Sequence, residues 1–178
     1  VTEANLIGER LRDTADNALS PRKAIRRTAP LDAYDIATAV ILAALVVIAL
    51  CTFRDYAISN DEGVQHRYGE LIIAYYTSGF ADQRVFNFQN LYLYGGLFDV
   101  VSIILGHLIP LDPYDLRHIL CALIGIGGIG AAAATARLIA GPRAALIAAI
   151  GLSVCGAWYG SMFNHTKDIP FAAAMMGA

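Results

Sequence analysis

The chain has 178 residues, 57% of them hydrophobic and 16% charged, with a net charge of −2 and a mean hydropathy of +0.52. A soluble domain carries about 25% charged residues, and the charge here is also segregated: residues 1–35 are rich in it, while long stretches beyond hold none. A bilayer imposes such segregation, because a charge at its centre costs roughly 2.5–3.5 kcal/mol. No basic surplus is left to bind a nucleic acid.

Residues 1–35 read as a polar cytoplasmic tail, because the basic cluster Pro21-Arg22-Lys23-Ala24-Ile25-Arg26-Arg27 lies close to the first apolar run and obeys the positive-inside rule. A cleaved signal peptide would reach its apolar core much sooner. Ile36 to Phe53 is uncharged and long enough to be a first membrane span. Arg54 to about Leu116 reads as one large external loop. Within it, Gly63 to Tyr76 has helical spacing, and Phe80 to Leu97 interleaves Phe80, Phe86, Phe88, Tyr92 and Tyr94 with Arg84, Asn87, Gln89 and Asn90. Rings mixed with polar groups suit the headgroup layer.

Leu91 to Pro110 is apolar but contains Asp99 and His107. Counted as a span, it would put the basic Arg137–Arg143 turn outside and the acidic Leu111–Asp115 loop inside, against the positive-inside rule. It is therefore expected to be an interfacial or re-entrant helix. Ile119 to Ala136 and Ala144 to Phe163 are the second and third spans. Ile169 to Ala178 opens another apolar segment that stops short of a span, so the chain is expected to continue and the fragment alone to be inactive. The expected fold is all-α: polytopic transmembrane helices, with a large first external loop carrying juxtamembrane interfacial helices, in the inner (plasma) membrane.

Two apparent signals are set aside. Cys51, Cys121 and Cys155 each sit in an apolar run without a partner at ligand spacing, and read as buried hydrophobes. Gly125-Ile126-Gly127-Gly128-Ile129-Gly130 matches GxGxxG, but it lies mid-span, with no strand before it and no acid about 20 residues on. Small residues there let helices approach closely.

Chemistry concentrates at two polar sites beside span ends. Asp61-Glu62 follows the first span, and Asn164-His165-Thr166-Lys167-Asp168 follows the third. Each has a plain structural alternative: Asn60 or Asp61 could cap a helix, and Lys167 and Asp168 could mark the membrane surface. On one shared face they form a cleft in which a carboxylate can act as general base and Lys, His or Arg can stabilise a phosphate leaving group.

This arrangement of cytoplasmic tail, span and external Asp-Glu opening a long aromatic loop resembles the GT-C superfamily, nearest to bacterial members of the protein O-mannosyltransferase and aminoarabinose transferase group. Asp61-Glu62 matches the family's first acidic motif, Asp168 falls where its second acid is expected, Leu91-Tyr92-Leu93-Tyr94-Gly95-Gly96 resembles its juxtamembrane segment, and Arg137 to Arg143 its basic cytoplasmic turn. Relatives often carry prolines where this chain has Gln89-Asn90, and Lys167 is not general in the group. The resemblance implies an inverting transferase that moves a sugar from a polyprenyl-phosphate donor to a lipid, glycan or protein acceptor at the outer face. Asp61 would be the base, Glu62 and Asp168 would orient hydroxyls or hold a divalent metal if one is used, and Lys167, with His165 or Arg84, would stabilise the lipid phosphate. A secondary transporter and a non-catalytic membrane scaffold remain as alternatives.

Overall fold

The computed structural model describes residues 31–178; the basic cluster at 21–27 and nearly all of the tail expected at 1–35 lie outside the described residues. Among the described residues every element is helical: α1 (Ala33–Thr52), α2 (Asn60–Thr77), α3 (Leu97–Gly106), α4 (Pro113–Ala140), α5 (Pro142–Ser153), α6 (Gly156–Asn164) and α7 (Asp168–Gly177), with 3-10 turns at Phe53–Asp55, Arg84–Asn87 and Leu91–Leu93.

The local sequence explains the helix ends. Asp32 caps α1, and its N–H donates back to the Asp35 carboxylate at 3.0 Å. From Ile36 to Phe53 no charge interrupts the helix, whose 20 residues rise about 30 Å, the thickness of a hydrocarbon core. Only Thr38, Leu45 and Ala49 are buried along α1, while Ile36, Val40, Val47, Ile48 and Leu50 face outward. An outward apolar face of that extent suits lipid rather than water.

Helix α4 is longer than the expected 119–136 span. It starts at Pro113 because the Asp112 carboxylate accepts the Tyr114 N–H at 2.9 Å, and proline fits the first helical position. It runs on to Ala140 because Arg137 is neutralised by Asp35, at 2.6 and 2.8 Å. Gly141 then turns the chain at φ 89°, a conformation that favours glycine, and Pro142 opens α5.

The third apolar segment is not one helix. α5 and α6 meet at a 65° bend around Val154 and Cys155. The Ser153 hydroxyl donates back to the Ala149 carbonyl at 2.6 Å, which bends helices, and Cys155 is extended at ψ 106°. By length and composition α1 and α4 can cross a membrane, and the bent α5–α6 pair makes a third crossing if it counts as one span. The ten residues of α3 rise about 15 Å, half of what a span requires.

Side-chain pairs fix the direction of the helices. Asp35–Arg137, with the Arg143 guanidinium 5.3 Å from the Tyr34 ring, ties the start of α1 to the end of α4. Arg54–Asp115 at 3.3 Å ties the opposite ends. Residues 53–112 therefore leave and return at the same end of this antiparallel pair. The bent segment brings the chain back there too, where the Phe163 ring stacks on Tyr56 at 3.7 Å.

The glycine run lies inside α4 as a packing surface. A Cβ on Gly125 would sit 2.8 Å from the Met162 Cβ, and one on Gly128 would sit 3.0 Å from both Ala173 and Trp158, so α6 and α7 pack directly on the α4 backbone. A second, smaller core of Tyr68, Leu71, Val85 and Leu91 holds the aromatic loop against α2. Gln89 and Asn90 lead into the Leu-Tyr turn at φ 49° and 55°, values that a proline ring fixed near −65° cannot take. Cys51, Cys121 and Cys155 are all free; only Cys121 is buried.

Candidate functional site

Helix α2 begins beside the end of α1. Ser59 is its N-cap, and the Ser59 N–H donates to the Glu62 carboxylate at 2.6 Å. The capping role expected of Asn60 or Asp61 thus falls to Ser59 and Glu62. Glu62 is wholly buried, with its second oxygen 2.9 Å from His118 Nε2. Expected among the acids of the site, Glu62 closes a helix end and meets α4, away from the cavity described below.

Asp61 points the other way. Its side chain is 72% exposed and faces Lys167 Nζ at 3.5 Å. Lys167 and Asp168 stand at the start of α7, and Lys167 Nζ also lies 5.5 Å from the centre of the Tyr94 ring. His165 Nδ1 is 3.5 Å from the Asp168 carboxylate, both groups being well exposed. The structure thus brings Asp61 to His165, Lys167 and Asp168, which follow it by about a hundred positions in the sequence.

Arg84 is not among them. Its guanidinium binds Asp82 at 2.8 and 2.5 Å on the exposed aromatic loop, holding the Asp82 carboxyl down at about 2. It lines neither cavity at the site, so the phosphate role expected of it as a weaker candidate has no support in its position.

A cavity of about 660 Å³ opens beneath the exposed cluster. Asp61, Lys167 and Asp168 form its polar rim, and Leu97, Phe98, Leu120, Ile124 and Phe171 its apolar walls, contributed by α3, α4 and α7. A smaller recess of about 200 Å³ lies on the other side of the same rim, between Asn60, Asp61, Asn164 and His165. The cavity is thus a polar mouth over an apolar trough. Among the described residues no three His, Cys, Asp or Glu side chains converge as a metal-binding group.

Sequence reasoning missed the residue beneath the rim. Arg117, in the first turns of α4, has no exposed surface. Its Nη2 donates to Asp99 at 2.7 Å, to Thr166 at 3.1 Å and to Gln65 at 3.3 Å, its Nη1 donates to Ser102 at 2.9 Å, and its guanidinium lies 5.2 Å from the Phe98 ring. Thr166 also donates its hydroxyl to Gln65. Close approach of α2 to α3 makes this possible: a Cβ on Gly69 would meet the Asp99 backbone at 2.9–3.0 Å. The available signal was opposite charges, Asp99 and Arg117, inside or at the edge of apolar runs, which call for a partner.

Comparison with family models, curated proteins and solved structures found no match to this chain, so the chemistry of the site rests on its own residues.

Proposed function

We propose that this chain carries the donor site of a membrane glycosyltransferase that takes a sugar from a polyprenyl phosphate. The observation that carries the reading is the Lys167–Asp61 pair standing with Asp168 on the rim of a cavity whose walls are apolar. The lipid phosphate would meet Lys167, the prenyl chain would follow the Phe98, Leu120 and Ile124 wall, and the sugar would stand at the rim. An acceptor hydroxyl then attacks the anomeric carbon from the face opposite the phosphate. Asp61 takes the hydroxyl proton, the bond from the anomeric carbon to the phosphate oxygen breaks, and polyprenyl phosphate leaves with the electron pair. Asp168 orients sugar or acceptor hydroxyls, with His165 beside it. Inversion follows from in-line displacement.

In this reading the end of the helices that bears the site faces out of the cell. The opposite end, with the Arg137–Arg143 turn, faces the cytoplasm, in keeping with the positive-inside rule. The acids stand at the starts of α2 and α7 rather than at the centre of an apolar helix, where a transporter would hold a coupling ion.

The test is direct transfer. The complete protein, purified in lipid, is given a panel of polyprenyl-phosphate sugars and lipid, glycan and peptide acceptors, and products are read by mass and anomeric configuration. Transfer with inversion from one donor is expected. A protein that binds polyprenyl phosphate and transfers no sugar to any acceptor overturns the reading.

A further inference from the structure

A buried arginine needs a partner for its charge, because an unpaired charge in a dry site is costly. Asp99 alone would balance the charge of Arg117. Yet the same Nη2 that meets Asp99 also donates to Thr166 and Gln65, and those two residues flank the rim. Gln65 follows Asp61 by four residues and so lies on the same face of α2, one turn further in. Thr166 immediately precedes Lys167 and Asp168. The guanidinium therefore reaches from α3 through α4 to both halves of the site at once. A lysine carries three donors on a single nitrogen, and cannot hold these three partners and Ser102 together.

We infer that Arg117 is a positioning residue: by clamping Thr166 onto Gln65 it sets the approach of Lys167 and Asp168 to Asp61, and it takes its own place from Asp99 and Ser102 on α3. The inference rests on the transfer reading for its rate consequences, and its geometric part stands apart from that reading. A misplacement of about 1 Å at a reacting site can cost on the order of 10²-fold in rate, so a clamp of this kind is visible in turnover.

Thr166 supplies the cleanest test, because it is buried, at 3% exposure, and close in size to two informative replacements. In the complete protein, Thr166→Val keeps the volume and loses the hydroxyl, whereas Thr166→Ser keeps the hydroxyl and loses a methyl group. The clamp predicts that Thr166→Val lowers kcat roughly 10–100-fold with donor KM within about twofold, and that Thr166→Ser stays near wild type. A packing role predicts the reverse order. Arg117→Lys should lower kcat as far, and the Arg117→Lys/Thr166→Val pair should be no worse than Arg117→Lys alone. Multiplying effects, or wild-type kcat in Thr166→Val, overturn the inference.

A second readout needs no activity. With Cys51, Cys121 and Cys155 replaced, Asn60→Cys and His165→Cys put two thiols in the lining of the small recess, one from each side of the sequence gap. Their crosslinking by a short bifunctional thiol reagent should slow several-fold on Thr166→Val and hold on Thr166→Ser. Equal crosslinking in both overturns the clamp. If the wild type transfers no sugar, the functional reading falls and crosslinking alone decides the clamp.

Discussion

Replacing Glu62 by Ala and, separately, Asp61 by Asn should give opposite phenotypes from adjacent positions. Glu62 has no exposed surface; it accepts the Ser59 N–H at 2.6 Å and faces His118 at 2.9 Å. Glu62→Ala deletes a helix-capping acceptor, about 1 kcal/mol, and strands His118 in a dry contact, where breaking a buried pair costs about 3–5 kcal/mol. The lower part of that range applies here, because a histidine can remain neutral when its partner is removed. The total, about 4 kcal/mol, should lower the melting temperature by roughly 10 °C. Asp61 is largely exposed and its ionic partner among the described residues, Lys167, is at 3.5 Å. Asp61→Asn should leave the melting temperature within about 2 °C, because exposed pairs contribute little, and should lower transfer by about 10²–10⁴-fold, the usual loss on removing a general base. Thermal unfolding in detergent and transfer at saturating donor, measured on the same preparations, separate the two. A stable Glu62→Ala protein with lost turnover would return Glu62 to the chemistry and refute the burial argument. An Asp61→Asn protein with wild-type turnover would remove Asp61 as the base.

Lys167→Ala should weaken binding of a polyprenyl phosphate about tenfold while folding is kept, since one charge-assisted contact is worth about 1.5 kcal/mol or more; unchanged lipid affinity in a flotation or quenching assay takes Lys167 out of the phosphate role. In a background without the native cysteines, Pro113→Cys should react with an impermeant thiol reagent on intact cells and Arg143→Cys only after lysis, because the two lie at opposite ends of α4; the reverse pattern turns the site to the cytoplasm. Gly125→Leu should destabilise by about 1–3 kcal/mol through overpacking against Met162, whereas Gly127→Ala, with nothing within 4 Å of its new carbon, should be neutral or stabilising; equal melting temperatures for the two variants contradict the close packing of α6 on α4.

The parts of the fold legible in the sequence were those governed by short-range rules. Uncharged runs gave α1 and the body of α4, and the charge bias of the flanking turns kept Leu91–Pro110 from reading as a span; α3 there has ten residues. The bend in the third segment was hidden because Ser153 to Gly156 is as apolar as its flanks, and hydropathy carries no information on a hydroxyl turning back on its own helix. At the site, residue type singled out Asp61, Lys167, Asp168 and His165. It could not divide Asp61 from Glu62, because that division depends on which of two adjacent helix positions faces His118, on a helix 56 residues away in sequence from Glu62. It offered Arg84 as a weaker phosphate candidate, and could not show that Asp82, two residues away, engages that guanidinium.

The break between α5 and α6 and the glycines of α4 belong to one device. The nine residues of α6, redirected by 65°, place Met162 where a side chain on Gly125 would have stood, and Phe163 against Tyr56 at the end of α1. The next residues are Asn164 to Asp168, so the packing of Met162 and Phe163 fixes where the rim of the cavity begins. Gly128 then receives Ala173 of α7, which seats the helix whose first turn carries Asp168. Small residues in the middle of an apolar helix therefore have a consequence at its polar end. They let two short helices come close enough to the α4 backbone that Lys167 arrives beside Asp61, and Arg117, from the same helix, meets Thr166 on the way.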